Sequence, residues 1–491
     1  MRNDSTRRTA VKLIGTSIAV GSVGIAGCLG DENGEDDDTT PVDDPNGTIR
    51  GEDPDEWPDL SGQTVQYITD EGSPEGQEYW NGLGADFTQL TGAQVNVEFT
   101  GHGLASDERV LQLIQAGDPP EIYLADQDIA ATFIEEGIVA PSTEFVEDYV
   151  INEQGFGEPT SSNFVRDGTR YGVPKEVQVG GIHYRSDLSD IDPVDQQSYY
   201  DYLEDTWENY DMGTIVPTSE DAYTQKHFIS WAWTNNATIC QIQDGEVVAA
   251  LTSDDGDNRE KLLDTIEHVK TLSQWSPPAT DADWATGRLS LLQQTAAAPW
   301  YSALSVKDEV VRDEDADWGP DILRPPEGMV ELRSTNMRNG GNVLLVMEGA
   351  NTEAAYEFLR FLYRRENYIE HLVSVEPFAL HYVPPYPNIA EDDEYLDIMY
   401  GWADEQEAYT EDDVDISIRA GEDVVSLASE TAMDWAGGDA DQANPFSGAI
   451  TLAADVQHMV YDVVEGGMDP EEALEEYNEV INDTIAQTRG D

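Results

Sequence analysis

Lysine is nearly absent from this chain. Beyond residue 30 only Lys175, Lys226, Lys261, Lys270 and Lys307 occur, and lysine and arginine together number 25 against 100 aspartates and glutamates. The formal net charge of -75 excludes nucleic acid and anionic lipid surfaces as partners for the body of the protein, since both repel it. Self-repulsion of that size opposes a compact state unless ions screen it at close range, as happens near molar salt. Replacing apolar-stemmed lysines by carboxylates also suits concentrated salt, which drives exposed hydrocarbon out of solvent more strongly. A halophilic protein is expected.

Cysteine is almost as scarce, with only Cys28 and Cys240. Modification of the first would leave no intramolecular disulfide. Long hydrophobic runs are missing too: the apolar stretch Leu13 to Gly27 is too short and too rich in Gly, Ala and Ser to span a membrane. No His-Glu-x-x-His, Gly-x-Ser-x-Gly or Cys/His metal spacing occurs, and the seven histidines are scattered. Hence no catalytic residue, metal site or cofactor is expected. Paired carboxylates for glycoside hydrolysis stay open, because 100 acidic residues can fill almost any geometry.

At 491 residues, 39% of them hydrophobic, the chain is long enough for two or three folded domains. Its first 28 residues read as an address. Thr6-Arg7-Arg8-Thr9-Ala10-Val11-Lys12 before the mild apolar run resembles a twin-arginine export signal, and Ile25-Ala-Gly-Cys28 matches a lipobox, whose cysteine thiol receives a lipid. Residues 29–59 hold almost nothing apolar and read as an acidic, disordered tether.

Strand and helix patterns then alternate. Thr64 to Ile68 is a strand, and Tyr79, Leu83, Phe87 and Leu90 mark a helix ended by Gly92. Gln94 to Thr100 is a second strand, Val110, Leu111 and Ile114 lie on a helix stopped at Gly117, and Glu121 to Ala125 is a third strand before a helix from Ile129 to Glu136. Such spacing implies a parallel sheet with right-handed crossovers, and ligands of such sheets sit at the carboxyl ends of the strands. Those ends carry Asp70-Glu71, Gly101-His102 and Asp126-Gln-Asp128, carboxylates able to accept paired hydrogen bonds from sugar hydroxyls. Helix capping is the competing role for the aspartates.

From Arg170 to Arg185 two extended segments flank Gly180-Gly181, a pattern that suits a crossing between lobes or a hairpin inside one core. A second lobe follows, with amphipathic helices around Tyr199 to Tyr210 and Leu262 to Leu272, an aromatic region holding Trp231 and Trp233, and Ala296-Ala-Ala-Pro-Trp-Tyr301. Gly340 to Val346 is a buried strand, Glu353 to Leu372 a long helix, and four prolines near Phe378 to Pro387 suggest another crossing. A helix near 449–465 and one opened by Asp469-Pro470 complete the chain.

Phe87 to Gly92, Leu111 to Ile122, Glu136 to Pro141, Tyr171-Gly-Val-Pro174 and His183 to Leu188 resemble, in this order, recurrent segments of the family 1 extracellular solute-binding proteins of ABC importers. The N-terminal features resemble the haloarchaeal lipoprotein type. The resemblance implies an α/β protein of the two-lobed periplasmic-binding type II fold, with a hinge of three crossings. Residues 60–173 and 320–378 then form the first lobe, and 174–319 and 379–491 the second. It further implies a lipid-anchored, monomeric receptor outside the cell, which captures a sugar and passes it to permease subunits. By the match Asp128 falls at a sugar-binding aspartate and Trp300 at a tryptophan that stacks on the ligand; Asp70, Glu71, Gln178, Trp231, Trp233 and Tyr301 are the other candidates. Stacking suits an aromatic ring because the C–H face of a sugar is apolar. Core packing is the alternative for every tryptophan. A receptor for a polyamine, metal or other solute, and a secreted hydrolase, are the competing functions.

Overall fold

The computed structural model describes residues 49–101, 104–159, 164–166, 168–176, 180–185, 188–191, 196–216, 218, 222–235, 237–243, 246–276, 290–295, 320–323, 342–374, 382–399, 444 and 446–489. Strand β1 (Thr64–Thr69) buries Val65, Tyr67 and Ile68, a run suited to a strand covered on both faces. Helix α1 (Pro74–Thr91) is capped by the Ser73 side chain, which accepts from the Gly76 amide, and it buries Tyr79, Trp80, Leu83, Phe87 and Leu90. It stops at Gly92, φ 76°, where an added Cβ would lie 2.5 Å from Ser61 Oγ, so both the backbone turn and the space demand glycine. Then come β2 (Gln94–Phe99), α2 (Leu104–Ala116), β3 (Ile122–Asp126), α3 (Gln127–Glu135), β4 (Val173–Glu176) and β5 (Gly180–Arg185). Helices α4 (Gln196–Tyr210), α5 (Ala222–Thr234) and α6 (Asn258–Ser273) precede β6 (Leu291–Thr295), β7 (Pro320–Leu323) and β8 (Asn342–Val346). Helices α7 (Thr352–Leu362), α8 (Arg365–Ser374), α9 (Ser447–Ala453), α10 (Asp455–Val464) and α11 (Pro470–Arg489) follow.

The first sheet has the order β2-β1-β3-β8-β4. Its first three strands are parallel, as the alternating pattern implies, whereas β8 runs antiparallel to β3 and β4. Asn342, the first residue of β8, pairs with Asp126, the last residue of β3, so the chain re-enters this sheet at its carboxyl edge and must run the other way. One sheet face packs Tyr67, Trp80, Phe87, Leu344, Phe358 and Tyr363; the other packs Ile68, Val110, Phe133, Val343 and Leu345. A separate core joins Tyr202, Phe228, Trp231, Ile266, Met459, Val460, Leu474 and Ile481. Strands β6 and β7 both pair antiparallel with β5 in a second sheet.

Several expected boundaries move. Residues 49–59, counted with the tether, lie on the first lobe: Trp57 packs edge-on against Phe87 at 6.1 Å and Phe361 at 5.6 Å, and Arg50 bonds Asp86 at 2.5 Å. One tryptophan and a few paired charges suffice to dock an otherwise polar segment. Strand β4 extends the first sheet to Glu176, past the expected division at 173, and residues 320–323 pair with β5 rather than with the first sheet. Tyr382, Tyr386, Ile389, Tyr395 and Met399, placed in the second lobe by the proline-rich turn, pack in the first core, where the Tyr386 hydroxyl donates to the Pro174 carbonyl at 2.8 Å. Prolines mark a turn but not the side on which the chain continues. The helix expected over 353–372 breaks at Tyr363, whose hydroxyl donates to the same carbonyl at 2.7 Å. That expected near 449–465 breaks at Ala454, φ 58°. Asp469 caps the last helix as its Asp-Pro start implies, accepting from the Glu471 and Glu472 amides. Among the described residues no helix is long and apolar enough to cross a membrane.

Candidate functional site

The carboxyl edge of the first sheet gathers polar side chains from four elements. Asp70 follows β1, Ser106 and Asp107 lie in the first turn of α2, Asp126 ends β3, and Asn342 begins β8. With Tyr123 and Leu124 they line a small recess that is partly open to solvent. The Tyr123 hydroxyl donates to Asp107, and burial, reinforced by the charge of Asp107, pushes that phenol well above its ordinary pKa, so it stays a donor. Asn342 is 5% exposed and its side-chain oxygen has no hydrogen-bond partner. It is one of several buried polar atoms among the described residues without a partner, and a donor brought into the recess would satisfy it. The second core reaches the same edge through α9, which lies along α3, the helix that begins directly after Asp126.

Beside this edge lies a sealed ion cluster. Lys175 Nζ is 2.6 Å from Glu71 Oε1 and 2.8 Å from Glu176 Oε2, with all three side chains at most 1% exposed. Trp80 Nε1 donates to Glu71 Oε2 at 2.9 Å, His371 Nε2 stands 3.5 Å from Glu71 Oε1, and the ammonium sits 4.4 Å from the centre of the Tyr382 ring. Burial opposes the charge on Glu71, yet Lys175 and His371 together hold its carboxyl below the usual range. For Glu176 burial prevails over Lys175, and the adjacent charge of Glu71 adds to it, pushing the carboxyl up to about 7. Burial, aided by Lys175, lowers His371 to about 4, so the imidazole is neutral.

Of the residues expected to touch a ligand, Asp70 lines the pocket and Glu71 does not: its carboxylate is committed to Lys175 and Trp80. Trp231 is 3% exposed and sits in the second core, 5.5 Å from His227 and 5.9 Å from His268 by ring centres. It fills a core, the competing role for any tryptophan. Asp128 lies in the first turn of α3 and Trp233 in the last turn of α5. Their side chains, with Gln178, Trp300 and Tyr301, lie outside the described residues. Asn342 and Asp107 escape a reading by strand ends, since one begins a strand whose direction is not written locally and the other sits inside a helix. The signal for Lys175 was its isolation, as the only lysine between residues 13 and 225.

A family model described as bacterial extracellular solute-binding protein matches residues 72–369, more than half of the chain. No curated protein sequence matches it. Among solved structures, a solute-binding protein of an ABC transporter from Agrobacterium radiobacter K84 in complex with ribitol is similar with a TM-score of 0.64 and 15% identity, covering 87% of this chain and 99% of that one. The GacH receptor of Streptomyces glaucescens, solved without ligand and with acarbose, gives 0.62 at 13% identity, covering 87% and 99%. Maltose-bound MalE3 of T. maritima gives 0.60 at 14%, covering 85% and 98%. At these identities the likeness concerns the fold, which is the two-lobed α/β fold of periplasmic binding proteins.

Proposed function

The chain belongs to the bacterial extracellular solute-binding proteins, and from that premise we propose that it is a receptor of an ABC transporter whose cargo is a sugar or oligosaccharide, trapped by closure of two lobes and handed to permease subunits. The observation that carries this reading is the polar pocket of Asp70, Asp107, Asp126 and the unbonded Asn342 at the carboxyl edge of the first sheet. Hydroxyls bridging those acceptors to the second lobe would make the closed state the better-bound one. Asp128, Gln178, Trp233, Trp300 and Tyr301 are the side chains proposed to complete the contacts, with Trp300 as the stacking surface. Three crossings of a hinge between the two lobes are part of this reading. In the cell, the twin-arginine signal exports a folded, halophilic monomer, and lipid on Cys28 holds it outside the membrane. Binding without turnover is the proposed activity, in line with a family of binding proteins.

Thermal shift in molar KCl against a panel of mono- and oligosaccharides, polyols, polyamines and divalent metals tests the reading. A saccharide that raises the melting temperature in proportion to log concentration is the expected result. Stabilisation by metals alone, or hydrolysis of a saccharide during the incubation, would overturn it.

A further inference from the structure

We propose that Glu176 is a proton-operated switch on the link between the two sheets: neutral, it stays sealed beside Lys175 and fixes the end of β4; ionised, it leaves the core and frees that link. Only residues 177–179 separate β4 in the first sheet from β5 in the second. Glu176 is the last paired residue before them. Asn342 pairs with Glu176 and Val343 with Pro174, so Lys175 is an extra residue, and this bulge lets two consecutive side chains share one cluster. That cluster has one cation for two acids. Glu71 takes most of the donors: Lys175 Nζ at 2.6 Å, Trp80 Nε1 at 2.9 Å and Thr69 Oγ1 at 3.2 Å. Among the described residues Glu176 has only the shared ammonium, 2.8 Å from Oε2, and neither of its oxygens accepts an aligned hydrogen bond.

The titratable groups around Glu176 are Lys175 on β4 itself, Tyr67 on β1 with Asp70 and Glu71 just past its end, Tyr363 at the end of α7, and Tyr368 and His371 on α8. Burial raises the three phenols and lowers His371 to about 4, so all four are uncharged near neutral pH. Once Lys175 neutralises Glu71, a charge on Glu176 has no counter-charge in a sealed space, and a proton removes it. Burial, opposed by Lys175 and reinforced by Glu71, brings that titration to about 7. A carboxyl whose pKa is raised in the sealed state holds that state below its ordinary pKa and releases it as pH climbs through the raised value. The way out is short, because the bulge separates the Glu176–Asn342 pair from the next one in the ladder. Upstream, Tyr363 and Tyr386 donate to the Pro174 carbonyl at 2.7 and 2.8 Å, and Tyr368 donates to that of Lys175. Three phenols thus pin β4 as far as Lys175, so release is confined to Glu176 and the link after it, and it leaves Lys175 matched to Glu71 alone.

Hydrogen exchange read by mass spectrometry on the full chain in molar KCl, from about pH 6 to about pH 8, tests this. The peptide 176–185 is compared with one from α11, which cancels the pH dependence common to all amides. That ratio should rise by up to about tenfold across the range, following the ionised fraction of a group that titrates at about 7. Glu176→Gln, neutral at every pH, should hold the ratio at its low value. Glu71→Gln leaves the ammonium to Glu176 alone, so the ionised acid should stay sealed as half of a matched pair and the rise should again vanish. Each variant is checked for a native circular dichroism spectrum. A flat ratio in the unmodified protein overturns the switch without any variant. A rise that persists in Glu176→Gln overturns it too, and so does one that persists in Glu71→Gln, because the two acids would then not be competing for one cation.

Discussion

Lys175 and Glu71 form an ion pair of 2.6 Å between side chains that are 0% and 1% exposed, joining the end of β4 to the segment just past the carboxyl end of β1. The second carboxylate, Glu176, shares the same ammonium, so one buried cation answers two acids. Removing one partner of a buried pair leaves an uncompensated charge, which costs about 3–5 kcal/mol. Lys175→Met should therefore lower stability by that amount in molar salt, and Lys175→Met with Glu71→Gln should recover part of it. Chemical unfolding of the three proteins measures this; a Lys175→Met variant as stable as the parent would show the cluster to be solvated.

The pH dependence follows from the same groups. Burial first, then the charge of Glu71, raises Glu176 from 4.5 to about 7 against the pull of Lys175. A carboxyl that titrates higher when folded binds its extra proton in the folded state, so its stabilising contribution is complete below about 4.5 and is lost as pH climbs through about 7. His371 and His268 act in the opposite sense, because burial lowers both from 6.5 to about 4 and stability is lost as pH falls across that interval. Glu71, held low by Lys175 against its burial, likewise loses its contribution only in acid. Glu176→Gln should isolate one contribution: it should raise the melting temperature above pH 7, and the gain should shrink to nothing by about pH 4.5. A gain independent of pH would mean that Glu176 is ionised throughout.

Docking of the N-terminal segment makes a third test. Trp57 meets Phe87 and Phe361 edge-on, and Arg364 pairs with the buried Glu52. A chain starting at residue 60 should be less stable than one starting at 49 by about 1–3 kcal/mol, below the range for a fully buried aromatic because Trp57 is half-buried. Equal unfolding midpoints for the two would return the segment to the tether.

Much of the first lobe could be read locally. Tyr79, Leu83, Phe87 and Leu90 repeat at helical spacing, and Gly92, Gly117 and Gly137 all stop helices with positive φ, because both signals depend on neighbours within a turn or two. Long-range partners were not legible. Glu71 at a strand end looks like a ligand contact until Lys175, 104 residues later, is brought against it. The antiparallel entry of Asn342–Val346 depends on where the chain returns, and period-2 apolar patterning is the same in either direction. Tryptophans are equally ambiguous, since an aromatic beside polar residues suits a stacking platform and a core alike.

Salt should decide between folded and unfolded chains. With a formal charge of -75 and so few basic partners, stability depends on screening that weakens as the Debye length grows from about 3 Å in molar salt to about 30 Å at 10 mM. Dialysis into dilute neutral buffer should abolish the native circular dichroism spectrum, and mild acidification should restore part of it by protonating carboxylates. An unchanged spectrum in dilute buffer would remove the halophilic reading.

Two tryptophans should respond in opposite ways. Trp231 lies 3% exposed between His227 and His268 in the core built by α5, α6 and α10, where burial keeps His268 neutral and its Nδ1 lies 2.6 Å from the Tyr200 hydroxyl. Trp231→Ala should cost about 3–5 kcal/mol through the cavity it leaves, with ligand affinity of the surviving folded fraction unchanged. Trp300, proposed to stack on the ligand, should behave inversely. Its loss removes a surface worth roughly 1–3 kcal/mol of binding, about a tenfold to hundredfold drop in affinity, with little change in melting temperature. Measuring both quantities on the same preparations separates the roles, because a residue cannot be a tight core filler and a free stacking platform at once. If Trp300→Ala melts early and binds normally, Trp300 belongs with Trp231 as core, and the stacking surface must be sought at Trp233 or Tyr301.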